Sequence, residues 1–211
     1  MESRSGNTKT SKSGRPAAFD RSDAVEAAMN LFWRNGYLAV SAKDLANAMA
    51  IQRSSFYNSF GSREAVFKEA LDLYGTRSPD AVLADIHAGD PVIPAIVSLL
   101  RNVCRIRADD VEARGCLVCN SVAELVGVDR EAGALLEQVL SDRIALLKGL
   151  LRQAVRQKEL PGDTDTSTVA NSLIAFLMGL NLLSKVERDE RRLWAACRVH
   201  LAGMGIHPDP E

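Results

Sequence analysis

Residues 41–64 read SAKDLANAMAIQRSSFYNSFGSRE, and this stretch decides the fold. Ser41 followed by Asp44 has the form of a capping box, with aspartate in place of the usual glutamate, so a short helix opens there. Leu45, Ala48 and Met49 fall at helical spacing and give it one apolar face. Ala50 and Ile51 interrupt it, and a second short helix follows over about Arg53 to Ser59. Phe56 and Phe60, four residues apart, turn toward a core. Arg53, Ser54, Tyr57 and Asn58, with Ser55 beside them, are left for the outside. A brace helix, a tight turn and a second helix with an apolar back and a polar front are what a helix-turn-helix needs. Its second helix can then offer donors and acceptors to phosphates and base edges in a major groove.

Working outward, the chain reads helical nearly throughout. It has no sustained period-2 alternation and no Asn-Gly or Asp-Gly hairpin signal. A first helix starts near Asp20 to Asp23, carries Val25, Ala28, Met29 and Phe32 inward, and ends at Gly36. Ser62 caps a fourth helix with Arg63 and Glu64 in its first turn, and Gly75 to Ser78 reads as its break. Ser78-Pro79 and Asp90-Pro91 each read as a cap followed by a first-turn proline. Further helices are expected over about 91–107, 115–126, 130–158, 166–186 and 190–204. The expected organisation is a flexible basic arm (1–19), a helix-turn-helix domain (20–64), a helical effector-binding and dimerisation domain (65–205) and a tail (206–211).

The 211 residues carry a formal net charge of -1, which on its face argues against a nucleic-acid partner. Split at residue 61, that average comes apart. The first 61 residues hold eight bases against five acids, the other 150 hold eighteen against twenty-two. The helix-turn-helix pattern lies on the basic side, behind an arm with Arg4, Lys9, Lys12 and Arg15. The 46% hydrophobic content is that of a folded protein. No run of about 18 consecutive apolar residues is present, and the N-terminus lacks the apolar core of a secretory signal. Four cysteines are too few for a disulfide framework, so a reducing, cytoplasmic setting is expected. Paired carboxylates, nucleophile elbows and phosphate loops are not recognisable, so the chain does not read as an enzyme. No cofactor is expected.

Ala28, Leu31-Phe32, Gly36-Tyr37, Ser41, Leu45-Ala46, Met49, Ile51, Ser55-Phe56-Tyr57, Phe60 and Ser62-Arg63-Glu64 resemble the TetR family in order and spacing. The resemblance covers roughly residues 20–70. It implies an all-α homodimer that binds double-stranded operator DNA, most often as a repressor. A small organic effector held in the C-terminal domain would release it. The DNA-contacting set it implies is Ser41, Lys43, Arg53, Ser54, Ser55, Tyr57, Asn58 and Arg63. The last two helices, residues 166–204, would form the dimer interface, since Ala170, Ala175, Gly179, Ala195, Ala196, Ala202 and Gly203 let helices approach closely. Two residues depart from the pattern. Ala50 stands where the family has glycine, and Arg63 where it has lysine.

Cys116 and Cys119 form a Cys-x-x-Cys without histidines at zinc spacing, so no metal is expected. Small packing residues or a thiol switch are the two readings of that pair. Cys116, Cys119, Asn120, Phe176 and Met178, with Trp194, are the candidates for lining an effector pocket. The rival reading of the whole chain is a helical small-molecule-binding or interaction protein without specific DNA binding.

Overall fold

The computed structural model describes residues 19–208, so the basic arm through Arg15 and the last three residues lie outside the described part. Among the described residues the chain is all-α, with no strand. The helices are α1 (Arg21–Asn35), α2 (Ala42–Ala48), α3 (Arg53–Phe60), α4 (Arg63–Arg77), α5 (Val92–Asp109), α6 (Leu117–Leu125), α7 (Arg130–Arg156), α8 (Thr166–Leu183) and α9 (Glu190–Gly203). A 3-10 segment, Pro79–Asp85, lies between α4 and α5.

Local chemistry sets most of these ends. Asp20 accepts from the Ser22 and Asp23 N–H groups at the start of α1, Asp129 does the same for α7, Asp165 for α8 and Asp189 for α9. The Ser41–Asp44 capping box is closed in both directions. Two boundaries differ from the sequence expectation. Helix α4 runs through Gly75 to Arg77, because its last turn is held from outside: Arg77 pairs with Glu26 of α1 at 2.8 Å. Asp90 does not cap α5. Its carboxylate accepts from the His87 N–H, and the first N–H groups of α5, on Val92 and Ile93, donate instead to Glu159 at 3.1 and 2.8 Å. That partner lies 66 residues or more away in sequence, where no local pattern announces it.

Two apolar cores follow. The first joins α1 to α4: Phe32, Tyr37 and Phe67 meet ring to ring at 4.6–5.7 Å, and Leu45, Phe56 and Val66 are fully buried. This core does not stop at the end of the small helices, since Leu117, Val118 and Leu125 of α6 and Leu136 of α7 belong to it. The second lies among α5, α7, α8 and α9, around Leu99, Leu100, Leu151, Leu173 and Leu193. Helix α6 therefore touches both the N-terminal unit and the C-terminal bundle.

Helix α8 is the most apolar of the long helices. It is long and apolar enough to cross a bilayer, with a mean hydropathy of 1.4, and only 22% of it is buried within the chain. Leu182, Leu183 and Val186 beside it, and Val199 on α9, stand exposed.

Candidate nucleic-acid interface

The turn between α2 and α3 is three-way backbone bonded. Met49 N–H donates to Leu45, Ala50 to Asn47 and Ile51 to Ala46, all at 2.9–3.1 Å. Ala50 sits at φ 54°, the left-handed region that glycine tolerates and alanine does not favour. The tight turn is thus formed with an alanine in that region. Behind it, Leu45, Ala46, Phe56 and Phe60 are buried, which fixes α3 against α2 and α4.

That packing dictates the outer face. Arg53, Ser54, Tyr57 and Asn58 are exposed on α3, Ser55 is half-buried, and Lys43 and Ser41 are exposed at the start of α2. Tyr57, 43% exposed, is steadied from two sides: Phe56 meets its ring edge-on at 5.3 Å and the Arg53 guanidinium lies 5.7 Å from its centre. The side chain at the centre of the face is pre-positioned. Ser41 works as a cap. Its hydroxyl donates to Asp44 at 2.5 Å and accepts from the Asp44 N–H. The Ser41 hydroxyl and N–H hold the Asp44 carboxyl below its ordinary range.

Arg63 is engaged inside the unit. Its guanidinium donates to the Tyr37 and Val40 carbonyls at 3.3 and 3.1 Å and lies 4.0 Å over the Tyr37 ring. Burial drives the Tyr37 phenol up to about 12, and its hydroxyl donates to Glu64. Arg21 is occupied as well. It binds Glu69 at 2.6 Å, donates to the Ser59 carbonyl at the end of α3, and covers Phe60. The resemblance implies Arg63 as a DNA contact; in the structure both arginines hold backbone carbonyls and brace the helices that carry the outer face.

The unit is joined to the C-terminal bundle by a polar seam that the sequence did not reveal. Glu124 of α6 accepts from the Tyr37 and Leu38 N–H groups at 3.0 and 2.9 Å, just before α2. Gly36 beneath it holds φ 79° and ψ 164°, a backbone region that favours glycine, and leaves room for the carboxylate. Trp33 donates to the Gly115 carbonyl at 3.2 Å, and Arg114 lies 4.0 Å over the indole. Arg34 pairs with Glu112.

At the other end of α6 is a small cavity of about 60 Å³, lined by Asp80, Arg107, Cys116, Val118, Cys119, Leu140, Arg143, Ile174, Leu177, Met178 and Asn181. It adjoins a larger cleft of about 230 Å³ between the 3-10 segment, α7 and α8, which Leu83, Leu146 and Leu147 line together with Asp80, Asp142 and Arg143. Of the expected pocket residues, Cys116, Cys119 and Met178 are brought together there. Asn120 is turned to the Arg114 carbonyl, Phe176 stacks on His200 at 4.0 Å, and Trp194 is packed below Arg101. Arg107 and Asn181 were not anticipated, because a charged or amide residue in a helix reads as solvent-facing. The Cys119 side chain and the Arg107 charge hold the Cys116 thiol below the usual range.

Comparison with known proteins matches these two parts separately. A family model described as "Bacterial regulatory proteins, tetR family" matches residues 24–70, and one described as "Tetracyclin repressor-like, C-terminal domain" matches residues 92–200. The HTH-type transcriptional regulator YezE of Bacillus subtilis is 32% identical over 85% of this chain and 93% of its own length. The HTH-type transcriptional repressor ComR of Escherichia coli is 26% identical over 94% and 92%. A cysteine-substituted variant of the regulator CifR, solved with 26-bp double-strand operator DNA, superposes with a TM-score of 0.79. It is 30% identical, over 90% of this chain and all of that one.

Proposed function

The chain belongs to the TetR family of transcriptional regulators, and from that premise we propose that it is a dimeric repressor that leaves its operator when a small organic effector binds. The observation that carries the proposal is the outer face of α3, polar and exposed over buried Phe56 and Phe60, in a chain similar to a regulator solved on operator DNA. Tyr57, Asn58, Arg53 and Ser54 address base edges and flanking phosphates, with Ser55 at the margin. Lys43 and the start of α2 address the backbone. Arg63 supports this set through the Tyr37–Val40 turn. The residues before Phe19 add Arg4, Lys9, Lys12 and Arg15 to the basic charge of the N-terminal part of the chain.

The homodimer forms through residues 166–204. A second copy is the natural cover for α8, whose exposed Leu182, Leu183 and small Ala175 and Gly179 would otherwise face water. Two half-sites lie about 34 Å apart or a multiple of it, so a modest change in the spacing of two α3 helices misaligns both. The cavity at the base of α6 is where an effector acts, working through its preference for the released arrangement. The protein works in the cytoplasm.

A gel shift on DNA upstream of its own reading frame, over a series of salt concentrations, tests the proposal. Binding about 10³-fold or more tighter than to random DNA is expected. Tyr57→Ala should erase most of that ratio, while Lys43→Ala should weaken both DNAs alike and lower the salt slope by about one. Equal affinity for both DNAs in the unaltered protein would leave the non-DNA-binding reading in place.

A further inference from the structure

Arg107 of α5 is 3% exposed, yet among the described residues no carboxylate pairs with it. Its guanidinium donates to two neutral acceptors, the Asn181 side chain at 2.7 Å and the Tyr74 hydroxyl at 2.9 Å. The two acids best placed to balance it are already taken. Asp110, three residues on, is held by Arg114 at 3.2 Å, and Asp80, across the cavity, pairs with Arg143. A guanidinium stays charged in any protein environment, and a buried charge without a counter-charge is expensive. Such a group is retained where something else supplies the negative charge.

Arg107 lines the cavity at the base of α6, and the rest of that wall is largely apolar: Val118, Leu140, Ile174, Leu177 and Met178. Ile174 and Leu177, with the paired Asp80 and Arg143, also border the neighbouring cleft, where Leu83, Leu146 and Leu147 add apolar surface and Asp142 a charge. With Arg143 and Asp80 paired to each other, Arg107 is the positive charge left over in this wall, and with the apolar side chains beside it describes the complement of an amphipathic anion. Resting on the regulatory reading above, we propose that the effector is a small molecule with a single negative head, of carboxylate type, seated on Arg107, and an apolar body lying along α7 and α8. The position explains its reach. Cys116 and Val118, in the same wall, belong to the α6 end opposite Glu124, which holds the turn ahead of α2.

The test is calorimetric titration of the full chain, without DNA, with straight-chain carboxylates from butanoate to dodecanoate and with the matching primary alcohols. The best carboxylate should bind at least about tenfold more tightly than its alcohol. Arg107→Met and Arg107→Gln should each remove that preference, the second keeping a hydrogen-bonding side chain without the charge. An alcohol that binds as tightly as its acid would overturn the proposal, since Arg107 would then give no preference to a negative head. Failure of every carboxylate to bind would overturn it too, as would a preference that survives both substitutions. If neither variant keeps its helical circular dichroism, the acid-to-alcohol ratio of the unaltered chain alone decides. Because no DNA is present, a negative result here leaves the operator gel shift untouched, and the reverse also holds.

Discussion

Replacing Ala50 with glycine should stabilise the protein. Ala50 holds φ 54° in the turn between the brace and the recognition helix. An L-residue with a Cβ pays roughly 1–2 kcal/mol to sit in the left-handed region. Glycine removes that strain but adds freedom to the unfolded chain, which costs about 0.5–1 kcal/mol. The Ala50 side chain is exposed, so no packing is lost with it. The net gain is about 0.5–1 kcal/mol, or a rise of about 1–4 °C in melting temperature for a chain of this size. Thermal unfolding of the two proteins at one fixed concentration measures it; the concentration must match because a dimer's apparent stability depends on it. Ala134→Gly is the control. That alanine is exposed on helix α7, so the same exchange there should destabilise by about 1 kcal/mol. Ala50→Gly behaving like Ala134→Gly would refute the strain account of the turn.

Two further outcomes follow from the same unit. Arg63→Ala should cost about 2 kcal/mol of stability by releasing the Tyr37 and Val40 carbonyls, with the salt dependence of DNA binding unchanged. A full-strength fold with a salt slope reduced by about one would instead mark Arg63 as a phosphate contact. Asp44 is held below its ordinary range, so the stability it contributes is present above about pH 4, its ordinary value, and is lost as pH falls through the lower folded value. Asp44→Asn should therefore flatten the acid side of a stability-against-pH curve, and an unchanged acid limb would count against the capping role.

What the sequence disclosed divides by distance along the chain. The capping box and the Phe56–Phe60 back of the recognition helix each depend on residues within a few positions, and each was legible, while Ala50 stood out only against the family's glycine. The roles of Arg63 and Glu124 were not, because their acceptors and donors lie 23 to 87 residues away. The cap of α5 failed for the same reason, with a glutamate from the far end of α7 taking the place of Asp90. Arg107 was invisible for another cause. Charge in a helix reads as solvated, and only assembly of α4, α5 and α8 shows that Tyr74 and Asn181 enclose it. Of the expected cavity residues, the Cys116–Cys119 pair came from a local motif and reached the cavity wall. Phe176 and Asn120 came from helix composition and were turned elsewhere.

The grip of Glu124 on the turn ahead of α2 bears on how such a protein can be taken apart. The first 77 residues look like a transplantable reading head, and a cut after α4 is the obvious place to fuse them to another sensor. Such a chimera would present the Tyr37 and Leu38 N–H groups, and the bare Gly36 beneath them, to whatever helix replaced α6. A replacement lacking an acid at that height would leave both donors without an acceptor and a small void over the glycine. The exchangeable part is therefore the head together with the helix that holds it, two pieces separated in sequence by the 3-10 segment and the whole of α5.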